Sequence, residues 1–189
     1  MGKIVSSFFI SLDGVVEAPD QWHFPYFNDE MGAAIGKSAE TVEAFLMGRV
    51  LYEEWASYWP ESEDEPFASF FNNTPKYVVS RTLKDPTWNN TTVIGGDVAT
   101  RIQELKDGIK CDINITGSAT VVRWLLANGL LDQLNLMVHP IAVGKGQRLF
   151  EDTPTHPLRL VSQETFSTGV LNLVYAPADV EGNGGDEGA

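Results

Sequence analysis

Short β-rich runs alternate with helix-patterned segments along almost all of this chain, and the alternation then gives way to two consecutive strands. The β-rich runs lie at residues 4–10, 44–47, 77–80, 92–94, 112–116 and 133–139, and helical patterns cover about 29–42, 50–58, 97–106 and 118–128. Repeated strand and helix require crossover connections, which make neighbouring strands parallel and bury both faces of their sheet. At the end, runs 158–165 and 170–176 are separated only by Phe166-Ser-Thr-Gly169, a hairpin signal. The expected fold is α/β: a mixed, mostly parallel central sheet flanked by helices, with a C-terminal antiparallel hairpin at one edge.

Residues 1–178 carry this pattern without a linker or an internal repeat and are expected to form one domain. With 189 residues, 43% of them hydrophobic, the chain has apolar material for one core and is short for two domains. From Asp179 onward glycine and acidic residues dominate, so segment 179–189 is expected to be a disordered tail with too little to bury. Thirteen basic and 26 acidic residues leave a net charge of −13. That field repels phosphate backbones and anionic lipid, so neither nucleic acid nor a membrane surface is an expected partner. The apolar run at 4–10, broken by Ser6 and Ser7, is too short for a signal peptide or a span. Together with the lone Cys111 this points to a reducing, cytoplasmic setting.

Three strand exits carry glycine, small hydroxyls or arginine: Met47-Gly-Arg49, Val79-Ser-Arg-Thr82 and Thr116-Gly-Ser-Ala-Thr120. In an open α/β sheet, ligands bind beyond the carboxyl ends of the strands, and helix N-termini offer free amides to anions. Gly117 permits close backbone approach, Ser118 is placed to cap the next helix, and Arg49 and Arg81 supply charge that can fork onto phosphate. Each loop by itself also fits a plain strand-to-helix turn. Val121, Val122, Leu125, Leu126 and Leu130 form a helical stripe suited to core packing, with Gly129 as its stop.

These loops, with Ser11-Leu-Asp-Gly14 after the first strand, Tyr52-Glu53, Gly129-Leu-Leu-Asp132, His139-Pro-Ile-Ala-Val-Gly-Lys-Gly146 and Leu149-Phe150, occur in an order that resembles the dihydrofolate reductase-like fold. Within it, the resemblance is to the C-terminal reductase domain of the bifunctional riboflavin-biosynthesis deaminase-reductases, over about residues 3–176. The deaminase's zinc signature, His-x-Glu with Cys-x-x-Cys, is absent from the sequence, so the likeness is to the stand-alone members. The resemblance implies an NADPH cofactor, a small-molecule substrate and a homodimer. It places Gly48 and Arg49 near the cofactor phosphates and Ser80, Arg81 and Thr82 near the adenosine ribose with its 2′-phosphate. Thr116, Gly117, Ser118, Ala119 and Thr120 would cradle the pyrophosphate, and the loop beginning Ser11-Leu12-Asp13-Gly14 would border the nicotinamide. Leu51 stands where related sequences usually carry threonine, which removes one hydroxyl donor to phosphate.

Asp13 is the candidate catalytic acid: in a dry pocket a raised pKa would let it donate a proton or orient water during hydride delivery. An Asp-Gly turn is its structural alternative. Gly14 opens a long, aromatic, proline-punctuated segment to Phe27 that suits a lid or pocket wall. Trp22 and Phe24 from it, with Tyr52 and Trp55, offer ring faces to a planar substrate, although packing under a long loop explains such residues equally. His23, His139 and His156 lack paired-ligand spacing, so no metal is expected. The expected function is that of an NADPH-dependent reductase transferring hydride to a C=N or C=O bond of a small planar or heterocyclic, pterin- or pyrimidine-like substrate. The alternative is a non-catalytic NADP(H)-binding or regulatory module that keeps the fold.

Overall fold

Alternation along β1 (Lys3–Ser11) sends Ile4, Phe8 and Ile10 to one face of the sheet and Val5, Ser7 and Phe9 to the other. The computed structural model describes residues 1–178; the predicted disordered tail lies outside the described residues. β2 (Val42–Gly48), β3 (Lys76–Val79), β4 (Thr91–Ile94), β5 (Asp112–Thr116), β6 (Gln133–His139), β7 (Leu158–Thr165) and β8 (Leu171–Pro177) join β1 in one eight-stranded sheet. Its order is β4-β3-β2-β5-β1-β6-β8-β7. Strands β1 to β6 pair in parallel, whereas β8 runs antiparallel to both β6 and β7. The hairpin between β7 and β8 closes where the Phe166 N–H donates to the Val170 carbonyl at 2.9 Å, with Gly169 at φ 85°. The fold is the mixed, mostly parallel sheet with a C-terminal hairpin that the pattern implies.

Among the described residues five α-helices flank it: α1 (Asp29–Ala39), α2 (Arg49–Ala56), α3 (Phe67–Asn73), α4 (Val98–Gly108) and α5 (Ala119–Ala127). Asn28 caps α1, its Oδ1 accepting from the Met31 N–H at 3.0 Å, and Asp97 caps α4 through the Thr100 N–H at 3.2 Å. α5 stops at Gly129, as its sequence predicts. With Gly129 at φ 64°, its N–H donates to the Leu126 carbonyl and the Leu130 N–H reaches the Leu125 carbonyl at 2.9 Å, a Schellman ending. Val122, Leu125 and Leu126, with Ile102 of α4, pack on Ile4, Leu46, Ile113 and Leu134 to form the main core. The second face carries two smaller clusters. Phe45, Met47 and Val78 lie with Tyr52 of α2 and Phe70 and Phe71 of α3, while Met31 of α1 meets Phe9, Met137, Phe166 and Val170. A cavity opens onto the sheet between them.

Two elements differ from the sequence expectation. The predicted helix 29–42 ends at Ala39 and Val42 begins β2, because the Asp112 N–H takes the Thr41 carbonyl at 2.9 Å and sheet pairing prevails. α3 is not among the predicted helices, since seven residues carry too little periodicity to announce themselves. Beside it Lys76 is fully buried at the start of β3, its Nζ donating to the carbonyls of Asn72, Thr74 and Asn89 and lying 4.3 Å from the Trp88 ring centre. Burial pulls that amine down to about 8.

Candidate active site

From β2 the chain leads through α2 toward β3 and β4, whereas from the adjacent β5 it leads through α5 across β1 to β6. α2 packs on the second face and α5 on the first. Neighbouring strands whose connections diverge in this way leave a crevice at their carboxyl ends. Across it the Gly48 N–H donates to the Ser118 hydroxyl at 3.0 Å. Ser118 therefore occupies the N-cap position of α5 without capping it, which corrects the expected role of its side chain. α2 begins after Gly48 and likewise has no side-chain cap. Two helix starts with uncapped first turns thus meet in one crevice, each bringing the positive end of its dipole.

Neighbouring side chains already fill the space beside both glycines of the crevice. A Cβ added at Gly117, which has φ 64°, would lie 3.0 Å from Leu51 Cδ1, and one at Gly48 would lie 3.2 Å from Val121 Cγ2. The donor set, amides and two arginines, fits the phosphates of a dinucleotide. Ser80 folds the β3 exit by accepting from the N–H groups of Thr82 and Leu83 at 3.1 and 2.9 Å. Arg81 is exposed and has no side-chain partner among the described residues. Arg49 Nη1 donates to both carboxylate oxygens of Glu53 at 2.8 and 2.7 Å. Thr120 is exposed and Thr116 half-buried, whereas the Ala119 methyl is buried in the core, leaving only its backbone for a ligand. Along the edge the exits follow in the order β3, β2, β5, β1, spanning three strand spacings, roughly 15 Å.

Asp13 departs from its expected chemistry. Its carboxylate accepts from the Ser11 hydroxyl at 2.6 Å and from the N–H groups of Val143 and Gly144 at 2.9 and 2.8 Å, with Arg148 Nη2 at 3.8 Å. These hydrogen bonds, that of Ser11 foremost, lower its pKa to about 2 instead of raising it. An acid so anchored is ionised at neutral pH and holds no proton to donate. It ties the β1 exit to the loop after β6, beside Gly14 at φ 87°, whose carbonyl accepts from the Leu149 N–H at 3.0 Å. Glu17 makes a parallel link, accepting from the Gln147 N–H at 2.6 Å.

The four aromatic candidates do not gather around one point. Trp22 is buried, its Nε1–H donating to the Glu17 carbonyl at 3.1 Å, and Tyr52 is buried, its hydroxyl accepting from the Trp88 N–H at 3.0 Å. Both are engaged in packing, which corrects their reading as open stacking platforms. Phe24 is exposed with its ring centre 4.2 Å from His23, and Trp55 sits over Phe71 at 4.8 Å while bordering the cavity. The fold also joins residues distant in sequence: the ring centres of His23 and His139 lie 6.1 Å apart, with Phe9 stacked on His23 at 4.5 Å. Burial lowers the pKa of both imidazoles. Among the described residues no group of three or more His, Cys, Asp or Glu side chains could hold a metal, and no helix is long and apolar enough to cross a membrane.

The cavity on the second face measures about 620 Å³ and is lined by Phe45, Trp55, Asn114, Thr116, Asn135 and Met137, among others. Thr116 belongs both to this cavity and to the β5 exit. The sequence reading passes over Ser7, Asn114 and Asn135. Their signal is present, since each is a polar residue on a strand that a two-sided sheet should make apolar.

This strand order, with its crevice and terminal hairpin, is that of a dihydrofolate reductase-like α/β protein. The chain belongs to the RibD C-terminal domain family, whose model matches residues 2–172. It is 27% identical over 179 residues to the uncharacterized protein YyaP of Bacillus subtilis (strain 168), covering 92% of this chain and 94% of that one. A structure from Shewanella sp. PV-4, named for riboflavin biosynthesis, superposes with a TM-score of 0.77 at 19% identity, covering 93% of this chain and 99% of the other. Dihydrofolate reductase from Enterococcus faecalis, complexed with NADP(H), gives 0.64 at 14% identity, with 94% and 97% covered. A diaminohydroxyphosphoribosylaminopyrimidine deaminase/5-amino-6-(5-phosphoribosylamino)uracil reductase from Thermotoga maritima gives 0.65 at 15% identity, with 94% of this chain and 57% of that one covered. At such identities these likenesses establish the fold alone.

Proposed function

We propose that this chain is an NADPH-dependent reductase acting on a C=N or C=O bond of a small planar heterocycle of pterin or pyrimidine type. The observation that carries the reading is the meeting of two uncapped helix starts at Gly48 and Ser118, beside Thr116, which also borders the cavity. An anion site and a pocket of ligand size are thereby joined at one residue. Family membership and the NADP(H) bound to the Enterococcus faecalis reductase support the same cofactor here.

Bound along this edge, NADPH would supply the hydride. The amides following Gly48 and those of Gly117 to Thr120 would hold its phosphates, Arg49 adding charge on release from Glu53. Arg81, with Ser80 and Thr82, would meet the 2′-phosphate. Asp13 and Gly14 would keep the loop at the nicotinamide end in place. With Asp13 ionised, the proton that accompanies the hydride comes from solvent water. We further infer a homodimer formed through the exposed β7 edge, and a cytoplasmic setting consistent with the single exposed thiol of Cys111.

The test is NADPH titration followed by NADPH oxidation across pterins, pyrimidines and quinonoid compounds, with turnover on at least one class expected. Tight NADPH binding without turnover on any of them would favour the non-catalytic module, toward which Leu51 packed over Gly117 and the Arg49 pair with Glu53 point. Failure to bind NADPH would overturn both readings.

A further inference from the structure

Residues 18–27 lie where β1 and β6 end, and ring packing alone holds them against the sheet. Their backbone hydrogen bonds run within the segment: the N–H groups of Trp22 and His23 both donate to the Pro19 carbonyl, at 3.1 and 2.8 Å, and the Phe27 N–H donates to the Phe24 carbonyl at 3.1 Å. The Trp22 indole reaches no farther than the Glu17 carbonyl. Among the described residues no hydrogen bond or ion pair ties the segment to the sheet. Its two ends, by contrast, are pinned. The Val16 N–H donates to the Gln147 carbonyl at 2.9 Å, and Asn28 caps α1. Ala18, at φ 44° and ψ 54°, holds a left-handed conformation that alanine rarely adopts, so the pivot at that end is under strain.

The seat of this segment is an imidazole. His139, the last residue of β6, is completely buried, and the rings of Phe9, Trp22 and Tyr26 meet it edge-on with centres at 5.6, 5.2 and 5.7 Å. His139 Nδ1 lies 2.8 Å from the Met137 carbonyl oxygen, which fixes the ring proton there and leaves the buried Nε2 as a bare acceptor. His23 is 7% exposed, and its Nδ1 is likewise buried without a partner among the described residues. A proton added to either nitrogen would place a charge among aromatic rings with no acceptor to meet it. The titratable groups facing the pair are the two imidazoles themselves, the Tyr26 hydroxyl and Asp20. β1 presents Phe9, β6 presents Met137 and the hairpin presents Phe166, none of them charged. Glu30 of α1 is engaged by Asn28 and Ser167, and Asp13 by Ser11, Val143 and Gly144. Burial is the main cause that holds both imidazoles below their ordinary 6.5, with His139 adding to the effect at His23 and Asp20 opposing it.

We propose that residues 18–27 are a strap latched on His139, closed while both imidazoles are neutral and released when either takes up a proton. Once undocked, the two rings reach solvent and recover their ordinary affinity for protons, so falling pH favours the open state by linkage. Phe9, which stacks on His23 at 4.5 Å, and Met137, which packs in the same cluster as Tyr26, also line the cavity of about 620 Å³. The closed strap therefore backs one wall of that cavity. Its release uncovers the cavity at the β1 and β6 end, which puts access from that side under the control of mild acid.

Hydrogen exchange of the full chain from about pH 7.5 to about pH 5.5 tests it, read by mass spectrometry on peptides spanning residues 18–27 and divided by the intrinsic exchange rate at each pH. Protection of the strap is expected to fall by up to ~10-fold for each imidazole that recovers its ordinary pKa on release, while β1, β5 and β6 keep theirs. His139→Phe keeps a ring against Phe9 and Trp22 but takes no proton, so it should reduce the fall to the share of His23. His139→Phe combined with His23→Phe should abolish it. Thermal melts establish that these variants fold. If they do not, Asp20→Asn at an exposed position carries the test, because loss of the carboxylate that favours charged His23 should move the onset of release to lower pH. Strap protection that stays constant over this range would overturn the proposal, as would a loss shared equally by β1 and β6. So would an undiminished fall in the folded double variant, or an unshifted onset in Asp20→Asn. None of these outcomes depends on which cofactor the crevice holds.

Discussion

Arg81 is a free guanidinium beside two hydroxyl residues, and nothing among the described residues competes for its charge. Arg81→Ala should weaken NADPH by about 1.5–3 kcal/mol, the range for a hydrogen bond to a charged group, and leave NADH nearly unaffected. Equal losses for the two cofactors in parallel titrations would place Arg81 away from the 2′-phosphate. Asp13 is an ionised anchor, so Asp13→Asn, which retains one acceptor oxygen and loses the charge, should lower kcat while leaving the pH profile of kcat in place. A profile that loses its acidic limb in the variant would restore Asp13 as a titrating catalyst. Because its folded pKa of about 2 lies below the ordinary 3.8, the stability it contributes is present above pH 3.8 and lost as pH falls through about 2.

Segments Pro19–Gln21 and Phe24–Tyr26 form short 3-10 turns that hold His23 against His139, where β6 ends. His139 is completely buried with Nε2 unpartnered among the described residues, and its Nδ1 lies 2.8 Å from the Met137 carbonyl oxygen. Burial lowers both pKa values below 6.5, with Asp20 partly offsetting the effect at His23. The unfolded chain consequently takes up protons first as pH drops through 6.5, and stability must fall on the acid side of that value. Thermal melts from about pH 7.5 to about pH 5.5 should show this decline, and His139→Phe should flatten it; an unchanged slope would remove the pair as its source. At the far edge of the sheet, β7 leaves Leu160 and Val161 at 48% and 51% exposure with no strand beyond it among the described residues. An open edge favours pairing with another copy. Sedimentation should find a dimer at micromolar concentration and a monomer for Val161→Lys, whereas a monomeric parent protein would dispose of the proposal.

At the scale of the whole molecule, the net charge of −13 opposes an anionic cofactor at long range, even though the proposed site in the crevice would attract it locally. Salt screens the distant field before it screens close contacts. The NADPH association rate should therefore rise as ionic strength increases from about 0.01 M to about 0.15 M, over which the Debye length shrinks from about 30 to 8 Å. A rate that falls instead, measured by stopped flow, would show that the local positive field governs the encounter.

Alternation with periods of two and 3.6 residues, read from the chain alone, was sufficient for the strand positions, the parallel core of the sheet and the terminal hairpin, because backbone geometry repeats locally. The glycine at 117 and the arginines at strand exits were equally legible as residues. What they do with one another was not. The hydroxyl of Ser118 meets Gly48 and not its own helix only because β2 and β5 are neighbours in the sheet, and Asp13 is held ionised by the Ser11 hydroxyl together with amides 130 and 131 residues away. Trp22 and Tyr52 read as open aromatics until the loop and α2 bury them, and His23 approaches His139 only through the placement of β6 beside β1. A pKa, a burial or a pocket floor depends on which segments lie side by side, and contacts between distant segments leave no period in the sequence.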